Sequence, residues 1–229
     1  GLLSKRFGKE IEVDDFPSEF TEENLRKWEK LGFKPIFLPN EEISEDRKLK
    51  NWVKPGTWFY QKIKEGKIPS DSTTLKRGWY LADFSVGVNY TDGTQVFPND
   101  PLTSIISRLR TEGKVGKHEK TPIGSRFSIT PAEEWENIVC PAVLRELGID
   151  SQRASCTLER AIEFNAIGNV YDPNRGKFNM WEWFHDSFEV SYRLYGGHAD
   201  YGGLAHVDYD WVGDRSDYIA GRPLVSFVK

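Results

Sequence analysis

Cysteine and methionine are almost missing from this chain: its 229 residues include two of the first and one of the second. Cys140 and Cys156 fit neither a zinc-ligand spacing nor a Cys-x-x-Cys motif, so two buried or idle thiols are expected. No apolar run approaches the length of a membrane span. No secretory signal is visible in a sequence that begins with Gly. A basic excess is missing too. Lys and Arg total 31 against 35 Asp and Glu, a net charge of -4, which argues against nucleic acid as a partner. No Gly-x-Ser-x-Gly elbow and no Gly-Lys-Ser/Thr phosphate loop occurs, so neither a serine hydrolase nor a nucleotide-phosphate site is signalled, and no motif asks for a cofactor. One more absence is local. From Phe178 to Val228 the chain has no Lys and no Gln, although Lys is frequent before that stretch.

What is present is an ordinary core supply, 38% hydrophobic, with an unusual share of rings: eight Trp, nine Tyr and fourteen Phe. That is enough to bury the core of one large domain or two small ones, and the surplus aromatics serve either the core or a binding surface. Thr21 is placed to cap a helix carrying Leu25, Trp28 and Leu31, with Phe20 and Leu25 as a hydrophobic staple and Gly32 as its stop. Phe33 to Leu38 reads as a strand, and Thr57 to Gly66 as a short helix. Trp79 to Tyr90 alternates as a strand, Asp92-Gly93 turns, and Gln95 to Phe97 returns. Asp100-Pro101 opens a helix with a stripe of Leu102, Ile105, Ile106 and Leu109. Thr130-Pro131-Ala132-Glu133 is a capping box for a helix interrupted near Pro141 and ended at Gly148. Thr157 to Phe164 is a further helix, and residues 168–177 form a turn-rich loop. No repeat or linker is evident. The expectation is an α+β domain over residues 51–229, with residues 1–50 as an N-terminal extension packed on it.

The last third carries the chemistry. His206, Asp208 and Asp210 share one parity, and Ala205, Val207, Tyr209 and Trp211 share the other. On a strand these sets face opposite sides, which predicts an aromatic core face and an outward face with an imidazole and two carboxylates. Trp181, Trp183, Trp211 and Ile219 are the expected buried residues. The outward set, with His198, also raises a second reading: a metal-dependent enzyme using the His/Asp cluster over 198–210.

A resemblance attaches to this stretch. Trp181-Glu182-Trp183, then Arg193-Leu194-Tyr195-Gly196-Gly197, a glycine-rich segment and Arg222-Pro223-Leu224-Val225 resemble the end of C-type-lectin-like domains close to formylglycine-generating enzyme. The terminal Gly-Phe-Arg-Pro of those domains is Ala220-Gly221-Arg222-Pro223 here. More narrowly, the stretch resembles the variable proteins of diversity-generating retroelements, of the kind found in archaeal viruses and minimal-genome archaea and bacteria. The resemblance runs from about Phe164 to Phe227 and does not reach upstream of Ser125. It implies a C-type-lectin-like fold of small antiparallel sheets and flanking helices. It also implies a non-enzymatic protein that binds a protein or surface ligand, with no cofactor, on a virion or a cell surface, and a monomer is expected.

In that family adenine-directed mutagenesis acts mostly on Asn codons. It reaches Asp, His, Tyr, Ser, Gly, Ala and Val but not Lys, Glu, Gln, Met or Trp. Within a variable region of about 195–221, the residues outside the scaffold are His198, Ala199, Tyr201, His206, Asp208, Asp210, Val212, Gly213, Asp214, Ser216, Tyr218, Ala220 and Gly221. All thirteen belong to the reachable set, and the missing Lys and Gln follow the same rule. The resemblance does not extend to catalysis: no Cys follows Cys156, whereas the enzyme's reactive cysteines lie in the C-terminal part of its fold. The Glu-Pro-Asn and Trp-Asn-Asp signatures of calcium-dependent sugar binding are missing as well, Trp211 being followed by Val212-Gly213-Asp214.

Overall fold

A computed structural model describes residues 1–227; the last two positions of the expected domain lie outside the described residues. Helices and strands are interspersed as far as Val170, and strands with two short 3-10 turns follow. The helices are α1 (Leu2–Phe7), α2 (Glu22–Lys30), α3 (Thr57–Lys64), α4 (Thr103–Thr111), α5 (Cys140–Leu147) and α6 (Ala161–Val170). The strands are β1 (Phe33–Leu38), β2 (Glu41–Glu42), β3 (Thr74–Leu75), β4 (Gly78–Asp83) and β5 (Ala154–Leu158), followed by β6 (Trp181–Phe188), β7 (Tyr192–Gly196), β8 (Val207–Trp211), β9 (Ile219–Ala220) and β10 (Pro223–Phe227). The architecture is α+β.

Two four-stranded sheets organise it. The first runs β1-β4-β10-β5 and is antiparallel throughout; the second runs β8-β7-β6-β9, with only β6 and β9 parallel. Helices cover both faces of the first sheet. Leu81 and Val225 pack toward Trp28, Ile105 and Val143, from α2, α4 and α5. Tyr80, Ala82 and Leu224 pack the opposite way, against Leu3 of α1 and Ile162 and Ala166 of α6. Phe184 and Leu194 of the second sheet meet Phe59 and Phe164 in a third cluster. The segment expected as an extension supplies β1, and Phe33, Ile36, Phe37 and Leu38 are all buried. The first sheet is therefore one folded unit that runs across residue 50.

Local signals explain most of the elements. Thr21 Oγ1 accepts from Asn24 N, capping α2, and Trp28 is fully buried with its indole donating to Leu147 O at 3.0 Å. Leu102, Ile105, Ile106 and Leu109 are buried as one stripe. Four expectations differ. The Trp79 strand stops at Asp83, because the Asp83 carboxylate accepts from Ser85 N at 2.9 Å and pairs with Arg126, turning the chain inward. Gln95 to Phe97 makes no strand; the Gln95 amide folds back on Thr91, and the Phe97 ring lies under the Arg126 guanidinium at 4.6 Å. Thr157 and Leu158 belong to β5, held by its pairing with β10, and the helix begins only at Ala161, with Glu163 Oε2 accepting from Arg160 N; that helix continues to Val170, into the expected loop. At Thr130 the capping acid is Glu134, not Glu133. Residues Pro131–Val139 form a π-helix, whose wider turn brings the residue one place further on back to Thr130 N, at 2.9 Å. Cys140 and Cys156 are free.

Candidate functional site

The second sheet carries the predicted positions. Register fixes which side each side chain takes: Tyr195 lies opposite Asp208, Arg193 opposite Asp210, and Leu194 opposite Tyr209. Asp208 and Asp210 therefore share a face with Tyr195 and Trp183, while Val207, Tyr209 and Trp211 share the other with Leu194. The expected exposure is reversed. Trp211 is 56% exposed and Tyr209 40%, whereas Asp208 and Asp210 are half-buried. The reason is that β8 is an edge strand: Val207 packs on the third cluster and Tyr209 stacks on its rim, whereas Trp211 lies at the far end of the strand. Trp183 and Ile219 are buried as expected, and Trp181 is half-buried.

The two aromatics on the reversed side lie on different supports. Tyr209 stacks on Phe188 with centroids 4.0 Å apart, and Trp58 of α3 lies nearly parallel beyond it at 5.9 Å. Trp211 rests over the backbone of Gly213. On the Asp side a second ring cluster forms. The His198 ring is 4.1 Å from Trp181, Tyr201 stacks on His206 at 5.5 Å, and Tyr218 meets Trp181 edge-on at 5.3 Å. Burial lowers the pKa of both His198 and His206, so these imidazoles sit among the rings as neutral groups at pH 7. His198 Nδ1 accepts from Asp200 N at 3.2 Å. Tyr218 Oη donates to Asp210 Oδ2 at 3.4 Å. Burial, and then the Asp210 charge, raise the Asp214 carboxyl above its ordinary range.

The thirteen sequence-predicted positions divide. Ala199, Tyr201, His206, Asp208, Asp210, Val212, Gly213, Asp214 and Tyr218 are partly or fully exposed, on the edge strand β8 and the segments that precede and follow it. His198, Ser216, Ala220 and Gly221 are buried and form part of the support. Ala220 pairs with Glu182 in the β6–β9 ladder, and a side chain at Gly221 would run into the Trp135 ring. Sequence reasoning missed Trp58, Phe188 and Tyr192. The only signal was the surplus of aromatics, since Trp58 is far upstream and reaches β8 through α3.

Beneath the face lies a buried ionic lattice built from the motif residues. Arg222 Nε donates to Glu182 Oε1 at 2.6 Å, tying the Arg-Pro segment to Trp-Glu-Trp, and Arg222 Nη1 donates to Ser85 O. Arg126 bridges Asp83 and Asp100, and Arg175 Nη1 pairs with Glu159 Oε2 at 2.6 Å. Burial alone would raise Asp83, but the Arg126 and Arg222 guanidinium groups outweigh it and hold the carboxyl at about 2. For Glu159 burial wins over Arg175, Glu182 adds to the rise, and the carboxyl is pushed up to about 8.

The metal reading finds no geometry. Among the described residues no group of three or more His, Cys, Asp or Glu is arranged to hold a metal ion. Two clefts of about 760 and 600 Å³ lie elsewhere: one between Phe16, Arg77, Trp79 and Phe227, the other between Glu45, Tyr60, Lys64 and Thr73. The predicted positions thus line a broad aromatic and acidic surface and neither of these clefts. No helix of the described residues is long and apolar enough to cross a membrane. Comparison of the chain with family models, with curated proteins and with solved structures finds no match.

Proposed function

We propose that this chain is a non-enzymatic ligand-binding protein, a variable protein of a diversity-generating retroelement with a C-type-lectin-like fold, whose surface around β8 is the diversified face. One observation carries the reading. Of the thirteen adenine-reachable positions, nine lie on the edge strand β8 or on the segments that precede and follow it, and all nine are at least partly in solvent. The motif residues Glu182 and Arg222, outside this set, are buried and hold each other. Variation at the first set leaves the second alone, which is what a scaffold tolerant of many sequences requires. Rings interleaved with short polar side chains are also the composition of adaptable binding loops. A flat surface of this kind suits a macromolecular or surface ligand better than a small substrate. Small antiparallel sheets with flanking helices and long irregular stretches support the fold assignment within the proposal.

The adjoining DNA tests it directly. A second copy of the codons for residues 195–221, differing from the first only at adenines and lying beside a reverse transcriptase, is the expected finding. Such a copy differing at other bases, or none, overturns the reading. The protein tests it separately. A library varied at Ala199, Tyr201, His206, Val212, Asp214 and Tyr218 is expected to remain largely folded and protease-resistant. Variation at His198, Ser216, Ala220 and Gly221 is expected to abolish folding in most members. Equal tolerance at the two sets removes the support.

A further inference from the structure

The second sheet ends at β8, and the hydrogen bonds show which of its backbone groups face away from the sheet. His206 O accepts from Gly197 N at 3.2 Å, and Val212 N donates to Ser191 O at 2.9 Å. Even-numbered residues here turn their backbone toward β7, so odd-numbered ones turn theirs outward. On that outer side Ala205 O is taken by Gly56 N at 2.8 Å and Trp211 O by Asp214 N at 2.9 Å. The two outward donors in the middle, Tyr209 N and Trp211 N, are taken by the side chain one residue back. Asp208 Oδ1 accepts from Tyr209 N at 2.8 Å, and Asp210 Oδ1 accepts from Trp211 N at 2.7 Å.

An edge strand of Val, Tyr and Trp with free donors is a template for another strand. We propose that Asp208 and Asp210 close this edge against a second copy of the chain, each by occupying the one N–H through which pairing would begin. The symmetric alternative is concrete. Antiparallel pairing of two β8 strands about a two-fold axis through Tyr209 would join two four-stranded sheets into one of eight. It needs the Tyr209 donor, which Asp208 holds. The same register sets Asp208 directly opposite Asp210 of the second copy, on the same face, twice over. Like charges in directly opposed cross-strand positions repel. Closure is therefore double, by occupied donors and by charge, and it does not depend on the ligand-binding reading.

Sedimentation across a concentration series tests this with three variants. The wild type is expected to be monomeric. Asp208→Ala/Asp210→Ala frees both donors and removes both charges. It is expected to dimerise with a dissociation constant at least about tenfold below that of the wild type, since each freed donor gains a partner. Asp208→Asn/Asp210→Asn keeps both acceptor oxygens without charge and is expected to stay close to the wild type. Adding Tyr209→Pro to the alanine pair removes the central donor at an edge position that tolerates proline, and is expected to restore the monomer. Amide exchange gives a readout that needs no dimer: Tyr209 and Trp211 amides are protected in the wild type and exchange faster in the alanine pair. The proposal is overturned if the alanine pair remains monomeric with unchanged amide protection. It is equally overturned if the asparagine pair dimerises as strongly as the alanine pair, if Tyr209→Pro leaves the dimer intact, or if the wild type is itself a dimer that Tyr209→Pro dissolves.

Discussion

Trp211 shows how position on an edge overrides sequence parity. Its alternation with Asp210 marked it as core, yet its indole lies on Gly213 and is 56% exposed. Trp211→Ala is accordingly expected to cost less than about 1 kcal/mol, in the range of substitutions away from the core. Trp183→Ala empties a site that is 1% exposed and is expected to cost about 3–5 kcal/mol. Urea denaturation of the two variants checks the contrast. Glu159 gives a second prediction at this scale. Its folded pKa, about 8, is above the ordinary 4.5, so its stabilising contribution is complete below about 4.5 and is lost as pH rises toward 8. The wild type should lose melting temperature relative to Glu159→Gln between about pH 5 and 8, and the difference should level off above that range. Parallel melting curves would contradict the assignment of the proton to Glu159. At the site, residue identity was legible and residue environment was not. Alternation along β8 correctly separated two faces, but which face met solvent depended on α3 and α6, elements whose packing leaves no trace in residues 205–211.

Elements were most legible where a cap or an apolar stripe was local. Helices α2 and α4 are announced by their own residues, Thr21 with Phe20 in one and the Leu102–Leu109 stripe in the other. Strands and boundaries set by distant partners were not. β5 exists because β10 pairs with it from more than sixty positions along the chain, and β4 stops where Arg126 captures Asp83. Glu134 rather than Glu133 meets Thr130 because the turn is π-helical, a choice that no capping pattern encodes. The crossing from β9 to β10 makes an element-scale prediction. Only Gly221 and Arg222 separate them, and they carry the chain from one sheet to the other with Arg222 bound to Glu182. Arg222→Met strands a buried carboxylate and is expected to cost about 3–5 kcal/mol. Glu182→Gln combined with Arg222→Met removes both charges and should recover part of that loss, and a double-mutant cycle in urea measures the recovery.

For the whole molecule, the decisive feature is that residues before position 50 are structural. A chain beginning at residue 51 loses β1 and the buried Phe33, Ile36, Phe37 and Leu38. It is expected to show no cooperative thermal transition by circular dichroism, while the full chain melts in one. The first sheet also has an order of assembly written into it. One of its two inner strands, β10, lies between β4 and β5 and comes last of the ten strands among the described residues. During synthesis every other strand leaves the ribosome first, so β1–β4 on one side and β5 on the other wait as two separate fragments with a strand-wide gap between them. Both flanks of that gap present unpaired backbone and apolar side chains until residues 223–227 arrive. A nascent chain stalled before that point is the species a chaperone would meet, and the interval before β10 emerges is when the first sheet is most open to wrong pairing.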